Sequence, residues 1–357
     1  MNILEKKELS SLLITLMSVK LLLTYPIKLI KNSGNAAWMQ VVFVTLIAFL
    51  IFRLTARVYE KRMNLIELVK IHTGKPLKII TGLIVFTVLL LNMITVVRIF
   101  PESVKIVLLQ DTDTDIILGI FILTVFIGAK FGLESIAKIN YIFLPICGIL
   151  MLVFVLFLIP FYKTDNIFPI FGKGFKNIFI NGISGLALFS DVLVLNILLA
   201  YSKNISEAKK AGSKAIIISG AVGVVITLAY AMVYPHPVSE EFILPVYQLT
   251  RIMHLGSFFN RFEAVFQFIW SILMFLYGAV YLYILCFVWQ ITFSLKYMKP
   301  LLFPVSILIS SISILPDSIM QADALEGIFE NAAYPIAFLL PIAVGLFDRK
   351  KERESQS

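Results

Sequence analysis

Charge is scarce in this 357-residue sequence: Asp, Glu, Lys and Arg make up 15% of it, against about a quarter in a soluble domain. With 59% apolar residues and a mean hydropathy of +0.92, that shortage excludes both a soluble globular protein and a disordered one. Cysteine is nearly absent. Cys147 and Cys286 each sit inside an apolar run, which excludes a disulfide scaffold and reads as two small core residues. Histidine occurs three times, at His72, His236 and His254, in separate connections and without metal-ligand spacing. The sequence contains no HExxH, GxSxG, Walker A loop or GxGxxG, so neither catalysis nor a cofactor is expected. It also lacks the alternating segments of an outer-membrane barrel, and it shows no low-complexity tract or short repeat.

What it does contain is long apolar runs. Ten can be read, at about 9–30, 37–58, 79–99, 114–131, 139–160, 181–201, 213–234, 262–292, 298–316 and 330–347. The expected fold is an all-α integral membrane protein with ten transmembrane helices, one polytopic domain over residues 1–357. The run at 298–316 holds Pro304, and the last holds Pro335 and Pro341, which neighbouring helices can accommodate. The first run is too long for a cleavable signal peptide and has no small-x-small site after it.

Lys and Arg placement orients the chain. If the N-terminus is cytoplasmic, 21 basic residues lie in cytoplasmic segments, 9 lie outside, and Lys20 lies within a span. Both termini are therefore expected inside. The formal net charge of +9 reads as a topology signal at a lipid bilayer, with no nucleic-acid partner. Residues 59–78 mix Leu65, Ile66, Leu68 and Val69 with charges, as an amphipathic helix would. Residues 161–180 read as an outer loop, and 235–261 as a loop with a helical stretch around Val246–Met253. Asp317, Asp323, Glu326 and Glu330 occur without a neighbouring Lys or Arg and, lacking EF-hand-like spacing, read as a solvated outer segment in preference to a cation site. Arg261 and Glu263 read as local ion-pair formers at the outer end of the eighth span, and Trp270 as packing or an interfacial anchor.

Ten spans permit an inverted five-plus-five repeat, about 9–160 and 181–347, in which spans 1 and 6 correspond and are broken near the midplane. These two spans hold the deepest charges in the chain, Lys20 and Asp191. A charge near the bilayer centre costs about 2.5–3.5 kcal/mol on insertion scales, so each must face the interior and find a partner. Two readings stand: a structural ion pair between spans 1 and 6, or two charges flanking a ligand, with an amino acid's carboxylate near Lys20 and its ammonium near Asp191. Ser18, Thr24 and Tyr25 surround Lys20, while Gly185 and Ser190 neighbour Asp191. Hydroxyls there can contact ligand or satisfy freed backbone groups. Asn92 and Thr95 in span 3 and Ser271 in span 8 are further candidates for the same pocket.

The order of several motifs resembles the B subunits of the GerA-type spore germination receptors, endospore permeases of the amino acid–polyamine–organocation superfamily. They are TYPIKLIKNSGNAAWMQVV (24–42), NLIELVKIHTGKPL (64–77), GLESIAKINYIFLPI (132–146) and LPVYQLTRIMHLGSFFNRFEAVFQFIWSI (244–272). The resemblance runs through nearly the whole chain. It implies a LeuT/APC-like fold with helices 1 and 6 interrupted around the site. It also implies a receptor with an A subunit and a C-subunit lipoprotein in the spore inner membrane, recognising a small germinant such as an amino acid. Ser18-Val19-Lys20 departs from the family, whose members often carry glycine there; Lys20 would replace a coupling cation, occupy the pocket or prevent transport. Three functions follow: a non-catalytic germinant sensor, a proton- or sodium-coupled amino-acid transporter, or a structural paralogue with no ligand of its own.

Overall fold

The computed structural model describes residues 3–58, 63–253 and 262–356; His254 and Arg261 lie outside them. Among the described residues there are fourteen α-helices and no sheet, only a bridge between Leu4 and Ser202. The helices are α1 (Lys6–Ser18), α2 (Tyr25–Ser33), α3 (Ala37–Val58), α4 (Leu65–Thr73), α5 (Lys75–Val107), α6 (Thr114–Lys130) and α7 (Leu133–Phe157). They continue as α8 (Phe175–Phe179), α9 (Val192–Leu198), α10 (Ile205–Val233), α11 (Pro245–Arg251), α12 (Phe262–Phe293), α13 (Leu302–Ser313) and α14 (Ile319–Gln356). Seven stretches are long and apolar enough to cross a membrane: Tyr25–Ala56, Lys75–Val107, Leu133–Phe161, Phe175–Tyr201, Ile205–Val233, Glu263–Phe293 and Ile319–Phe347. The protein is a multi-pass, all-helical membrane protein.

Local chemistry sets where the helices begin and end. Asn64 caps α4 by accepting the Glu67 amide at 2.9 Å, and Asn204 caps α10 by accepting the Glu207 amide at 2.8 Å. Gly74 closes α4 at φ 86°, a left-handed conformation that glycine adopts without strain. The amphipathic segment is the helix α4, with Leu65, Ile66, Leu68 and Val69 buried. The segment read as an outer loop, 161–180, carries a 3-10 turn at Thr164–Ile167 and the short helix α8. Pro335 and Pro341 both lie inside α14.

Two interruptions position the site. α1 stops at Ser18, a 3-10 turn covers Val19–Leu22, and the chain re-enters helix at Tyr25. Pro26 explains the restart: it has no N–H to bond the Leu22 carbonyl, and it fits the first turn of α2, where no such bond is needed. The second interruption is a nine-residue 3-10 run, Asn181–Phe189, followed by a turn at Ser190–Asp191 before α9. Runs beyond three or four residues are uncommon because 3-10 hydrogen bonds are poorly aligned, so side chains must support this one. Gln40 of α3 donates to the Gly182 carbonyl at 3.0 Å and is itself buried.

Around these breaks α12 packs on α5, α6 and α7, α1 packs on α10, and α10 packs on α3. Phe100, Phe121, Trp270 and Phe275 form one aromatic cluster, with the Phe100 and Trp270 centroids 5.3 Å apart. Trp270 is thus a packing residue. Cys147 and Cys286 are free, buried thiols. One expectation needs correcting: Asp323, Glu326 and Glu330 are not in a solvated segment. α14 begins at Ile319 and carries them, and the two glutamates are each 5% exposed because Lys28 of α2 neutralises them.

Candidate functional site

Lys20 lies in the turn of the first interruption and Asp191 in the turn of the second. Lys20 Nζ is 3.0 Å from Asp191 Oδ2, with side-chain exposures of 2% and 0%. Both charges thus sit at interruptions of their helices. Lys20 also donates to Asn92 Oδ1 at 3.2 Å and approaches Ser190 Oγ at 3.5 Å. Asn92, on α5, is held by donating to the Val88 carbonyl at 3.0 Å. Asp191 Oδ1 accepts a hydrogen bond from Tyr281 of α12. The ring of Tyr281 stacks on Tyr277, 4.6 Å between centroids. The Tyr277 hydroxyl, buried one turn away, has no partner among the described residues.

Tyr25 couples the two interruptions. Its hydroxyl accepts the Leu188 amide at 2.9 Å and donates to the Gly185 carbonyl at 2.8 Å. A side chain at the start of α2 therefore satisfies backbone groups that the 3-10 run leaves open. Gly185 also permits close approach: a Cβ there would come within 3.1 Å of Gln40 and 3.3 Å of Val44.

Beyond Tyr25 the polar array continues. Thr24 donates to Glu326 Oε2 at 3.0 Å. Lys28 Nζ lies 2.5 Å from Glu326 Oε2 and 2.9 Å from Glu330 Oε2, so one ammonium serves two buried carboxylates. This second ionic cluster ties α2 to α14, adjacent in sequence to the Lys20 turn.

The structure thus gathers Lys20, Asn92, Ser190 and Asp191 at one point, with Thr24, Tyr25 and Gly185 beside it. Three candidates turn elsewhere. Ser18 donates to Ser219 of α10 at 2.9 Å. The Thr95 hydroxyl bonds the carbonyls of Leu91 and Asn92 on its own helix, and Ser271 bonds Gln267 on its own helix. Sequence reasoning missed Tyr277, Tyr281, Lys28, Glu326 and Glu330 as members of the array. The i, i+4 spacing of both the tyrosines and the glutamates was the available signal. An apolar cleft of 520 Å³ between α1, α7, α10 and α12 reaches the first interruption at Ser18 and Leu22; Lys20 and Asp191 do not line it.

Chemically, the arrangement is a buried ammonium and carboxylate at hydrogen-bonding distance, supported by an amide and hydroxyls.

The fold resembles solved structures. MhsT in complex with L-phenylalanine superposes with a TM-score of 0.67, covering 93% of this chain and 87% of that one at 14% identity. A mutant of the Eremococcus coleocola manganese transporter superposes with a TM-score of 0.56, covering 95% and 77% at 14% identity. These likenesses establish a LeuT/APC-like membrane fold. In sequence, Spore germination protein B2 of Bacillus subtilis (strain 168) is 22% identical over 70% of this chain and 68% of its own length. YfkT of the same organism is 24% identical over 72% of each. Residues 4–321 match the family described as "Spore germination protein", and the chain belongs to that family.

Proposed function

We propose that this spore germination protein is the membrane subunit of a nutrient germinant receptor and binds an amino acid, or a similar small zwitterion, between Lys20 and Asp191. The observation that carries this reading is the buried ion pair spanning two helix interruptions. Removing one partner of a buried pair costs about 3–5 kcal/mol, because the other charge stays unpaired. A zwitterion avoids that cost by bringing its carboxylate to Lys20 and its ammonium to Asp191, while Asn92, Ser190, Tyr277 and Tyr281 supply polar atoms around it. MhsT, which shares this fold, was solved with L-phenylalanine, and an amino acid as the ligand class fits that likeness.

In this reading the chain crosses the membrane ten times. α1 with α2 forms the first crossing and α3 the second, the Tyr25–Ala56 stretch dividing at the Gly34–Ala36 turn; Phe175–Tyr201 is the sixth, and the shorter α6 and α13 count as crossings. Residues 9–160 and 181–347 are inverted repeats, both termini are cytoplasmic, and the two broken helices correspond. An A subunit and a C-subunit lipoprotein complete the receptor in the spore inner membrane. Binding signals only if the ligand favours one conformation over another. Exchange of the Lys20–Asp191 pair for ligand contacts supplies that difference.

Spores lacking the gene, challenged with a nutrient panel, test this role. The reading expects loss of the response to one amino acid or similar nutrient, with no matching uptake by the chain in proteoliposomes. Uptake without a germination defect would make it a transporter, the activity its fold likeness also fits. An unchanged nutrient response would leave a structural role.

A further inference from the structure

A cavity with a polar lining lies where α3 ends and α10 begins. It measures 410 Å³ and is lined by Arg53, Ala56, Ser206, Lys209, Lys210 and Ser213. Among the described residues, Arg53, Lys209, Lys210 and the hydroxyls of Ser206 and Ser213 line it and no carboxylate does, with Arg53 and Lys210 as the cations the site rests on. Glu207, nearby in sequence, engages Asn204 through both its amide and its side chain. The cavity therefore offers the donors and the excess positive charge that a phosphate group requires.

The walls below it are apolar and follow the same helix faces. On α3, Phe49, Leu46 and Val42 lie four, seven and eleven residues before Arg53, which places them in one row running into the apolar part of the helix. Leu46 is 58% exposed and Val42 40% exposed. On α10, Ser206, Lys210, Ser213, Ile217 and Val224 form the matching row, and Ile217 is 53% exposed. The helices run antiparallel, so both rows change from charged to apolar in the same direction. Glycines seal the seam between them: a Cβ at Gly220 would stand 2.4 Å from Thr45, and one at Gly212 would stand 2.4 Å from Phe52.

We infer that this surface is a binding site for one anionic phospholipid, its phosphate in the Arg53–Lys210 cavity and its acyl chains along the two apolar rows. Charge complementarity selects an anionic headgroup, and the order of polar and apolar surface selects a lipid over a soluble anion. The site goes beyond germinant binding and stands whether or not that reading holds.

The test uses the full chain in nanodiscs of equal phosphatidylglycerol and phosphatidylcholine, with lipids that remain bound counted by native mass spectrometry. The expected result is selective retention of phosphatidylglycerol, reduced about tenfold in Arg53→Gln/Lys210→Gln, kept in Arg53→Lys/Lys210→Arg, and unaffected by Lys214→Gln. The charge-retaining variant separates loss of the site from loss of the fold. Equal retention of both lipids, or full phosphatidylglycerol retention by the glutamine variant, would overturn the site. Displacement of the lipid by excess inorganic phosphate would overturn the choice of a lipid and leave a soluble-anion site.

Discussion

Lys20 Nζ and Asp191 Oδ2 stand 3.0 Å apart, each at a break in its own helix, and both side chains are sealed from solvent. The coupling can be measured by a double-mutant cycle. Lys20→Met and Asp191→Asn should each lower stability by about 3–5 kcal/mol, since each strands a buried charge. The double variant should recover part of that loss. Thermal unfolding in detergent checks it; additive losses would show that the two residues act independently.

Tyr25 is expected to matter through its hydroxyl alone. Tyr25→Phe keeps the ring and removes the partner of the Leu188 amide and the Gly185 carbonyl. Each unsatisfied buried backbone group costs about 1–3 kcal/mol. Hydrogen exchange should accelerate at Leu188 and across the Asn181–Phe189 run while α12 keeps its protection.

Lys28 should be less replaceable than either of its carboxylate partners. Lys28→Met leaves Glu326 and Glu330 facing each other without a counter-charge, a loss of about 3–5 kcal/mol. Glu330→Gln keeps a one-to-one ion pair with Glu326 and should cost less. Comparing melting temperatures of the two variants decides it, and a reversed order would contradict the charge count.

The legibility of the site follows from how each residue differs from its sequence surroundings. Lys20 and Asp191 stand out because each interrupts an apolar run, where an ionised side chain needs a specific reason to be. Tyr281 and Tyr277 do not, because this chain has 13 tyrosines and an uncharged aromatic does not interrupt an apolar run. Glu326 and Glu330 read as solvated because no cation lies near them in sequence. Their partner Lys28 precedes Glu326 by 298 positions, a pairing that only the folded bundle creates. The helical class was legible from apolar runs alone. The nine-residue 3-10 run was not, since its support comes from Tyr25 and Gln40 on other elements.

Gly172 marks where the 161–180 segment docks. Its φ is 47°, and a Cβ would come 2.1 Å from the Ser33 carbonyl at the end of α2. Gly172→Ala should therefore cost about 1–3 kcal/mol and loosen the segment. Limited proteolysis should cut the variant within 161–180 faster than the parent chain.

Calorimetric titration of an amino-acid panel into the full chain in nanodiscs tests the central claim most directly. The account predicts that at least one amino acid binds, that its amide and its decarboxylated amine do not, and that Lys20→Met and Asp191→Asn each abolish binding. An amino acid that binds the parent chain and both variants equally would place the ligand elsewhere and contradict the account.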